Sequence, residues 1–276
     1  MLPRWASRLV LAVAVCAASG LVAQDAPLPV GVAFLSVDRK YAGAGEVGLY
    51  VREDDGSVHK VWSGEPYDCF AAPDRTTLVV ERWKGTVHRL DPEGQVVFSK
   101  AGLRTPVDVE LAADGTVVVV LNEPGEVVGL DPKTGVLLWR RTGFTRPFDV
   151  ATDPQGGLIV ADSGGGRLVR LDAAGETLWE RTGLGFPNTC ERLKNDHVLV
   201  TTWDAGEVLE LDGQGKQVWR AKVDGVVYRA QRREDGTTLV VDGAKGRILI
   251  LDARGKRVHE ETFTPCCVDY EPLLKI

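Results

Sequence analysis

GRLVRLDAAGETLW, residues 166–179, reads as one β-hairpin: an alternating strand, a Leu-Asp-x-x-Gly turn and a second strand ending in a large aromatic. Nearly the same line returns as GEVVGLDPKTGVLLW at 125, GEVLELDGQGKQVW at 206 and GRILILDARGKRVH at 246. Weaker copies are GTVHRLDPEGQVVF at 85 and GEVGLYVREDDGSV at 45. Anchored on the residue before the turn (Tyr50, Leu90, Leu130, Leu171, Leu211, Leu251), the copies are spaced 40, 40, 41, 40 and 40 residues apart. A period near forty with several short strands per unit is the mark of propeller blades.

Each hairpin follows an apolar strand, such as VVVV at 117 or LIVA at 158, and each apolar strand follows an innermost one. The innermost segments are PYDCFAAPD, PVDVELAADG, PFDVATDPQG, PNTCERLKND, VVYRAQRREDG and, at the C-terminus, PCCVDYEP. The last has no strands after it, while Val30 to Trp62 supplies strands with no innermost partner before them. Pairing the two ends predicts an all-β, six-bladed propeller of four-stranded antiparallel blades, closed so that no sheet edge is left free. The aromatics Phe98, Trp139, Trp179 and Trp219 recur at one place per blade and read as packing between blades.

The first residues, MLPRWASRLVLAVAVCAASGLVAQDAP, carry Arg4 and Arg8, then an apolar run from Leu9 to about Ala18, then small residues. This is the pattern of a secretory signal peptide, too short to span a membrane stably. The expectation is a leader over 1–23, a single propeller domain over 24–276, and a secreted or periplasmic monomer with no membrane span after cleavage. Over the full chain Lys and Arg number 33 against 39 Asp and Glu; without Arg4 and Arg8 the balance is 31 against 39. Such a surface repels nucleic acid.

The run RPFDVATDPQGGLIVADSGGGRLVRLDAAG, 146–175, is similar to an NHL repeat in its proline, its Val-Ala-Asp ending and its Gly-x-x-Arg turn. The LDxxGxxxW lines resemble the quinoprotein-like, or PQQ-like, propeller repeat. The resemblance covers nearly all of the chain after the leader and implies the fold rather than a chemistry, because such repeats serve binding modules, scaffolds, lyases and hydrolases alike. A quinone-binding, oxidoreductase-like protein is the third function it implies.

Propellers bind ligands in the central channel or on the loops at its mouth. One level of the innermost strands holds Asp68, Asp108, Asp149, Thr189, Arg229 and Asp269, and two residues further on stand Glu110, Glu191 and Glu271 among uncharged neighbours. Period-two alternation turns this set toward the channel and the apolar set between blades. Like charges at close range need a counter-charge, a cation, water or a raised pKa. One reading therefore makes the channel a wet acidic lining, partly balanced by Arg229, in a binding or scaffolding module for a small-molecule or protein ligand. The alternative makes Asp68, Asp108, Asp149 and Asp269 ligands of a hard cation such as Ca²⁺; a likeness to gluconolactonase-type six-bladed propellers, which put a metal in this place, implies a lactonase- or esterase-type hydrolase.

The four histidines, His59, His88, His197 and His259, fall away from the innermost strands, which argues against a zinc site or a Ser-His-Asp arrangement. Cys266 and Cys267 are adjacent and form a possible vicinal disulfide near the channel, whereas Cys69 and Cys190 sit on opposite sides of it and should not bond to each other. On the loops, Trp83, Trp203, Phe144 and Arg146 are candidates for contacts at the mouth.

Overall fold

The computed structural model describes residues 11–12, 32–36, 48–52, 58–72, 74–245, 247–262 and 268–272. Near the N-terminus come β1 (Leu11–Ala12), β2 (Val32–Ser36), β3 (Leu49–Arg52) and β4 (Val58–Trp62). The first blade is β5 (Asp68–Ala71), β6 (Thr77–Glu81), β7 (Thr86–Leu90) and β8 (Val96–Lys100). The second is β9 (Pro106–Leu111), β10 (Val117–Leu121), β11 (Glu126–Leu130) and β12 (Leu137–Arg141). The third is β13 (Pro147–Thr152), β14 (Leu158–Asp162), β15 (Arg167–Leu171) and β16 (Thr177–Thr182). The fourth is β17 (Pro187–Arg192), β18 (Val198–Thr202), β19 (Glu207–Leu211) and β20 (Gln217–Lys222). The fifth is β21 (Val227–Arg232), β22 (Thr238–Asp242), β23 (Arg247–Leu251) and β24 (Arg257–Thr262), and β25 (Val268–Pro272) follows. In each blade the strands pair antiparallel in chain order from the innermost outward.

The blades form where the chain alternates a fully buried second strand with half-buried neighbours. All five residues of β10, β14, β18 and β22 are buried, as expected for strands covered on both faces. The Leu-Asp-x-x-Gly turns behave as their chemistry requires: Asp91 Oδ1 accepts the amides of Glu93 at 3.0 Å and Gln95 at 2.7 Å, and Asp212 and Asp252 repeat the arrangement. The core lies between blades. One apolar cluster joins Leu78 and Val80 of the first blade to Val117 and Val119 of the second, and further clusters join the second to the third, the third to the fourth and the fourth to the fifth.

The recurring aromatics close these seams from outside. Trp179 Nε1 donates to Gly213 O and Trp219 Nε1 to Ala253 O, each 2.9 Å, so a ring of one blade lies on the Asp-turn of the next. Gly215, at φ 77°, is the landing place: a Cβ there would meet the Trp179 ring at 3.0 Å.

The count of six four-stranded blades is corrected to five. The remaining sheet, where the chain ends meet, is five-stranded: its order is β1-β3-β2-β25, with β4 also pairing β3. Its antiparallel β3 and β4 fall within the copy of the repeat that begins at 45, but the strands beside them come from other parts of the chain. β2 meets β3 through one residue pair, Leu35 with Leu49, and runs along β25 from Val32 to Ser36. β1, within the stretch expected to be a leader, pairs Leu11 with Arg52 and Ala12 with Val51 of β3. β25 neighbours β21 on one side and β5 on the other. Among the described residues no helix is long and apolar enough to cross a membrane.

Candidate functional site

The innermost strands β5, β9, β13, β17 and β21 are the inner edges of their sheets, and each neighbours the next. An edge strand presents a row of amides with no ladder partner. The channel carboxylates meet that need. Asp68 Oδ2 accepts the Val109 amide at 3.3 Å, Asp108 Oδ2 the Val150 amide at 2.8 Å, and Asp149 Oδ2 the Cys190 amide at 2.7 Å. One level on, Glu110 Oε2 accepts the Thr152 amide at 2.8 Å and Glu191 Oε2 the Arg232 amide at 3.0 Å. In every case a carboxylate of one blade holds the backbone of the following blade, one residue past its own counterpart. Each of the four seams among the five blades carries at least one such charge-assisted latch, and the second-to-third seam carries two.

Thr189 departs from the pattern. A register shift between Pro187 and Cys190 turns its amide and hydroxyl onto Thr201 Oγ1, at 3.0 and 2.9 Å. Its neighbour Asn188 is buried and donates from Nδ2 to Tyr228 O at 2.6 Å, linking the same two blades that Glu191 latches. Arg229 of the fifth blade reaches Asp68 of the first, Nη1 to Oδ1, at 3.9 Å. The side chains of Asp269 and Glu271 on β25, and both Cys266 and Cys267, lie outside the described residues.

Burial shapes the charge of this wall. Asp149 is pushed well above the usual carboxylate range, first by desolvation and then by the Asp108 charge, against the pull of Arg229 and the Cys190 amide. Glu191 is raised to about 7, chiefly by burial, with the Arg232 amide and the charges of Arg229 and Arg232 opposing. Burial, and then Asp149, push the Cys190 thiol up as well; its Sγ lies 3.3 Å from Asp149 Oδ2. Cys190 and Cys69 are both buried thiols with no disulfide between them.

Asp68, Asp108 and Asp149 do occupy one level, as the period predicts, yet they do not form a cation cage. One oxygen of each is committed to a neighbouring amide, and among the described residues no group of three or more acidic, histidine or cysteine side chains is placed to hold a metal. The described donors do not fit the expected Ca²⁺.

The end of the channel from which the innermost strands start is built from two sets of loops. Those leading into the innermost strands hydrogen-bond those joining second to third strands: Leu103 N to Gly85 O at 3.0 Å, Asn122 N to Thr105 O at 3.0 Å and Trp203 N to Phe186 O at 2.9 Å. Gly85 has φ 63° and no room for a Cβ, which would lie 2.3 Å from Leu103 O. Acids ending the second strands pin these loops. Fully buried Asp162 accepts the amides of Thr145 and Arg146, each at 2.9 Å, and Arg167 Nε at 2.8 Å; Asp242 does the same for Val226 and Arg247. The sequence signal for this role was the Val-Ala-Asp ending, whose aspartate is Asp162.

Two aromatic groups stand on this mouth. Over the fourth and fifth blades Trp203 packs edge-on against Tyr228 at 4.8 Å and Phe186 at 6.2 Å between ring centres. Over the first blade the Arg82 guanidinium lies between Tyr67 and Trp83, 4.8 and 4.9 Å from the ring centres, and Arg82 Nη1 donates to Tyr67 Oη at 2.8 Å. Trp83 is 73% exposed, the most exposed large apolar side chain described. Of the four expected mouth residues, Trp83 and Arg146 are exposed, while Trp203 and Phe144 are partly covered.

A family model described as outer membrane protein assembly factor BamB, a PQQ-type repeat, matches residues 83–194. No curated protein matches the chain. Among solved structures it is similar to virginiamycin B lyase from Staphylococcus aureus, with a TM-score of 0.62 at 13% identity over 71% of this chain and 69% of that one. A catalytically inactive form of that lyase, bound to quinupristin, matches with a TM-score of 0.65 at 8% identity over 87% and 88% of the two chains. A protein of unknown function from Bacteroides caccae matches with 0.62 at 17% identity over 77% and 88%. At such identities the likeness carries the fold and no chemistry. The family match is confined to residues 83–194, where the chain resembles the PQQ-type repeat, and the solved structures share its β-propeller fold.

Proposed function

We propose that the protein is an exported, non-catalytic binding module: residues 1–23 form the leader, 24–276 one propeller unit, and a small-molecule or protein ligand docks at the mouth of the channel. The observation that carries this reading is the division of labour in the charge. The wall carboxylates are spent on amides of neighbouring blades, whereas the mouth offers an exposed tryptophan stacked on a guanidinium. Trp, Tyr and Arg are the residues that dominate binding energy at interfaces.

The test is selection of a random peptide library on the immobilised protein, repeated on a Trp83→Ala/Trp203→Ala variant. Sequences enriched on the first and lost on the second support a mouth-binding module. Turnover of lactones or aryl esters that tracks the metal content of the purified protein would replace it with the hydrolase reading.

A further inference from the structure

The mouth is electrostatically divided. Over the first three blades stand Arg82, Arg104 and Arg146, none of which makes an ion pair with any described residue. This contrasts with Arg89, Arg167, Arg170 and Arg247, each held by one or more carboxylates. Arg104 follows Leu103, whose amide donates to Gly85 O in the loop that carries Trp83. Arg146 is fixed at its base: its carbonyl accepts the Gly164 amide at 3.3 Å, and a Cβ on Gly164 would come within 2.7 Å of Arg146 Cβ, so the bare glycine makes room for the arginine stem. Over the fourth and fifth blades the same face carries exposed Asp204 and exposed Asp224, the latter paired with Lys245 at 2.9 Å, and over the second blade Glu123 on the loop joining β10 to β11 is exposed as well.

We infer that an extended acidic segment of a protein partner lies across the first three blades, with Trp83 as its apolar anchor and Arg104 and Arg146 reading its carboxylates. The inference rests on the binding-module reading and names the partner's chemistry. Three guanidiniums on a chain of net charge −6 form a local basic strip, and guanidinium forks match carboxylates in pairs. A narrow acidic strand gains from the strip without meeting Asp204 and Asp224. A flat anionic membrane or a nucleic-acid duplex would meet both halves of the face at once. Trp83 already lies against the Arg82 guanidinium, itself hydrogen-bonded to Tyr67, so little side-chain freedom is lost when a partner packs on it.

The probe is a fluorescein-labelled peptide repeating Glu-Glu-Phe-Pro, titrated by anisotropy against the full-length protein, with a Lys-Lys-Phe-Pro peptide and phosphatidylglycerol vesicles in parallel. The acidic peptide binds, and Trp83→Ala weakens it about tenfold or more. Arg104→Glu/Arg146→Glu abolishes it and confers binding of the lysine peptide. Arg75→Glu/Arg254→Glu, on turns at the opposite ends of the strands, changes nothing. No binding of the acidic peptide, equal loss with the opposite-face pair, or vesicle binding that depends on Arg104 and Arg146 would each overturn the inference. Unchanged circular dichroism and melting of these exposed-site variants exclude unfolding as the cause. If the acidic peptide fails while the random library still yields mouth-dependent sequences, the acidic partner falls and the binding module stands.

Discussion

The channel wall and the mouth above it are both rich in charged side chains, but their charges do opposite jobs. In the wall, the aspartates are buried and the glutamates half-buried, and each holds a specific amide of the next blade. At the mouth, Arg82, Arg104 and Arg146 make no ion pair with a described residue, while Arg167 beside them is held by Asp162. The difference teaches that a ring of carboxylates is not by itself a ligand site: where strand edges face one another around an axis, acids are a means of satisfying backbone donors.

The sharpest break of that contrast is Arg229→Leu. It removes the cation that faces Asp68 and lowers the cost of ionised Asp149 and Glu191. Leaving buried carboxylates uncompensated is expected to cost about 3–5 kcal/mol, read as a lower midpoint of denaturant unfolding. A smaller loss, about 1–3 kcal/mol, is expected for Asp108→Ala, which leaves the Val150 amide unsatisfied. Asp108→Asn keeps an acceptor and removes the charge that raises Asp149, so it should be milder than the alanine variant. If the two variants lose equal stability, the latch is not what the carboxylate contributes.

Glu191 supplies a test by pH. Its folded pKa, about 7, stands above the usual 4.5, so the folded chain holds this proton more tightly than the unfolded chain does. Its contribution to stability is therefore fully present below about 4.5 and is lost as pH rises through about 7. Glu191→Gln keeps an oxygen for the Arg232 amide and should flatten that fall in a series of melting curves, gaining on the parent above neutral pH. The smallest effect on stability is expected on the mouth: Trp83→Ala should stay within about 0.5 kcal/mol of the parent, because the side chain is mostly in solvent. A large loss there would mean that the tryptophan is a structural strut and not a contact surface.

Much of this architecture was legible in the sequence because each blade is written locally. The Leu-Asp-x-x-Gly turns and the apolar second strands are set by residues close together in the chain, and the aromatic that covers the next blade recurs at one place per unit. Asp68, Asp108 and Asp149 were correctly placed at one level, since a two-residue period and a forty-residue repeat fix that level. Their role was not legible, because an acceptor's partner lies on another blade, as Asp108 and Val150 do. The blade count failed for a related reason. The copy at 45–58 identifies the β3–β4 hairpin, but which strands flank a hairpin at the chain ends is decided by tertiary pairing, here a five-stranded sheet. At the mouth, the Arg82–Tyr67 stack joins residues from separate segments and had no local mark.

The latches all point the same way around the axis, the first four blades each offering an acid forward and the last four each an amide backward. A head-to-tail contact of that kind is matched to its own copy, so repetition alone extends it. A stretch of gene encoding one whole unit of about forty residues therefore arrives, on tandem duplication, with both halves of its joint already made. Insertions out of phase with that unit would strand an acid on one side and a bare strand edge on the other, which gives this fold an arithmetic of its own for growing and shrinking.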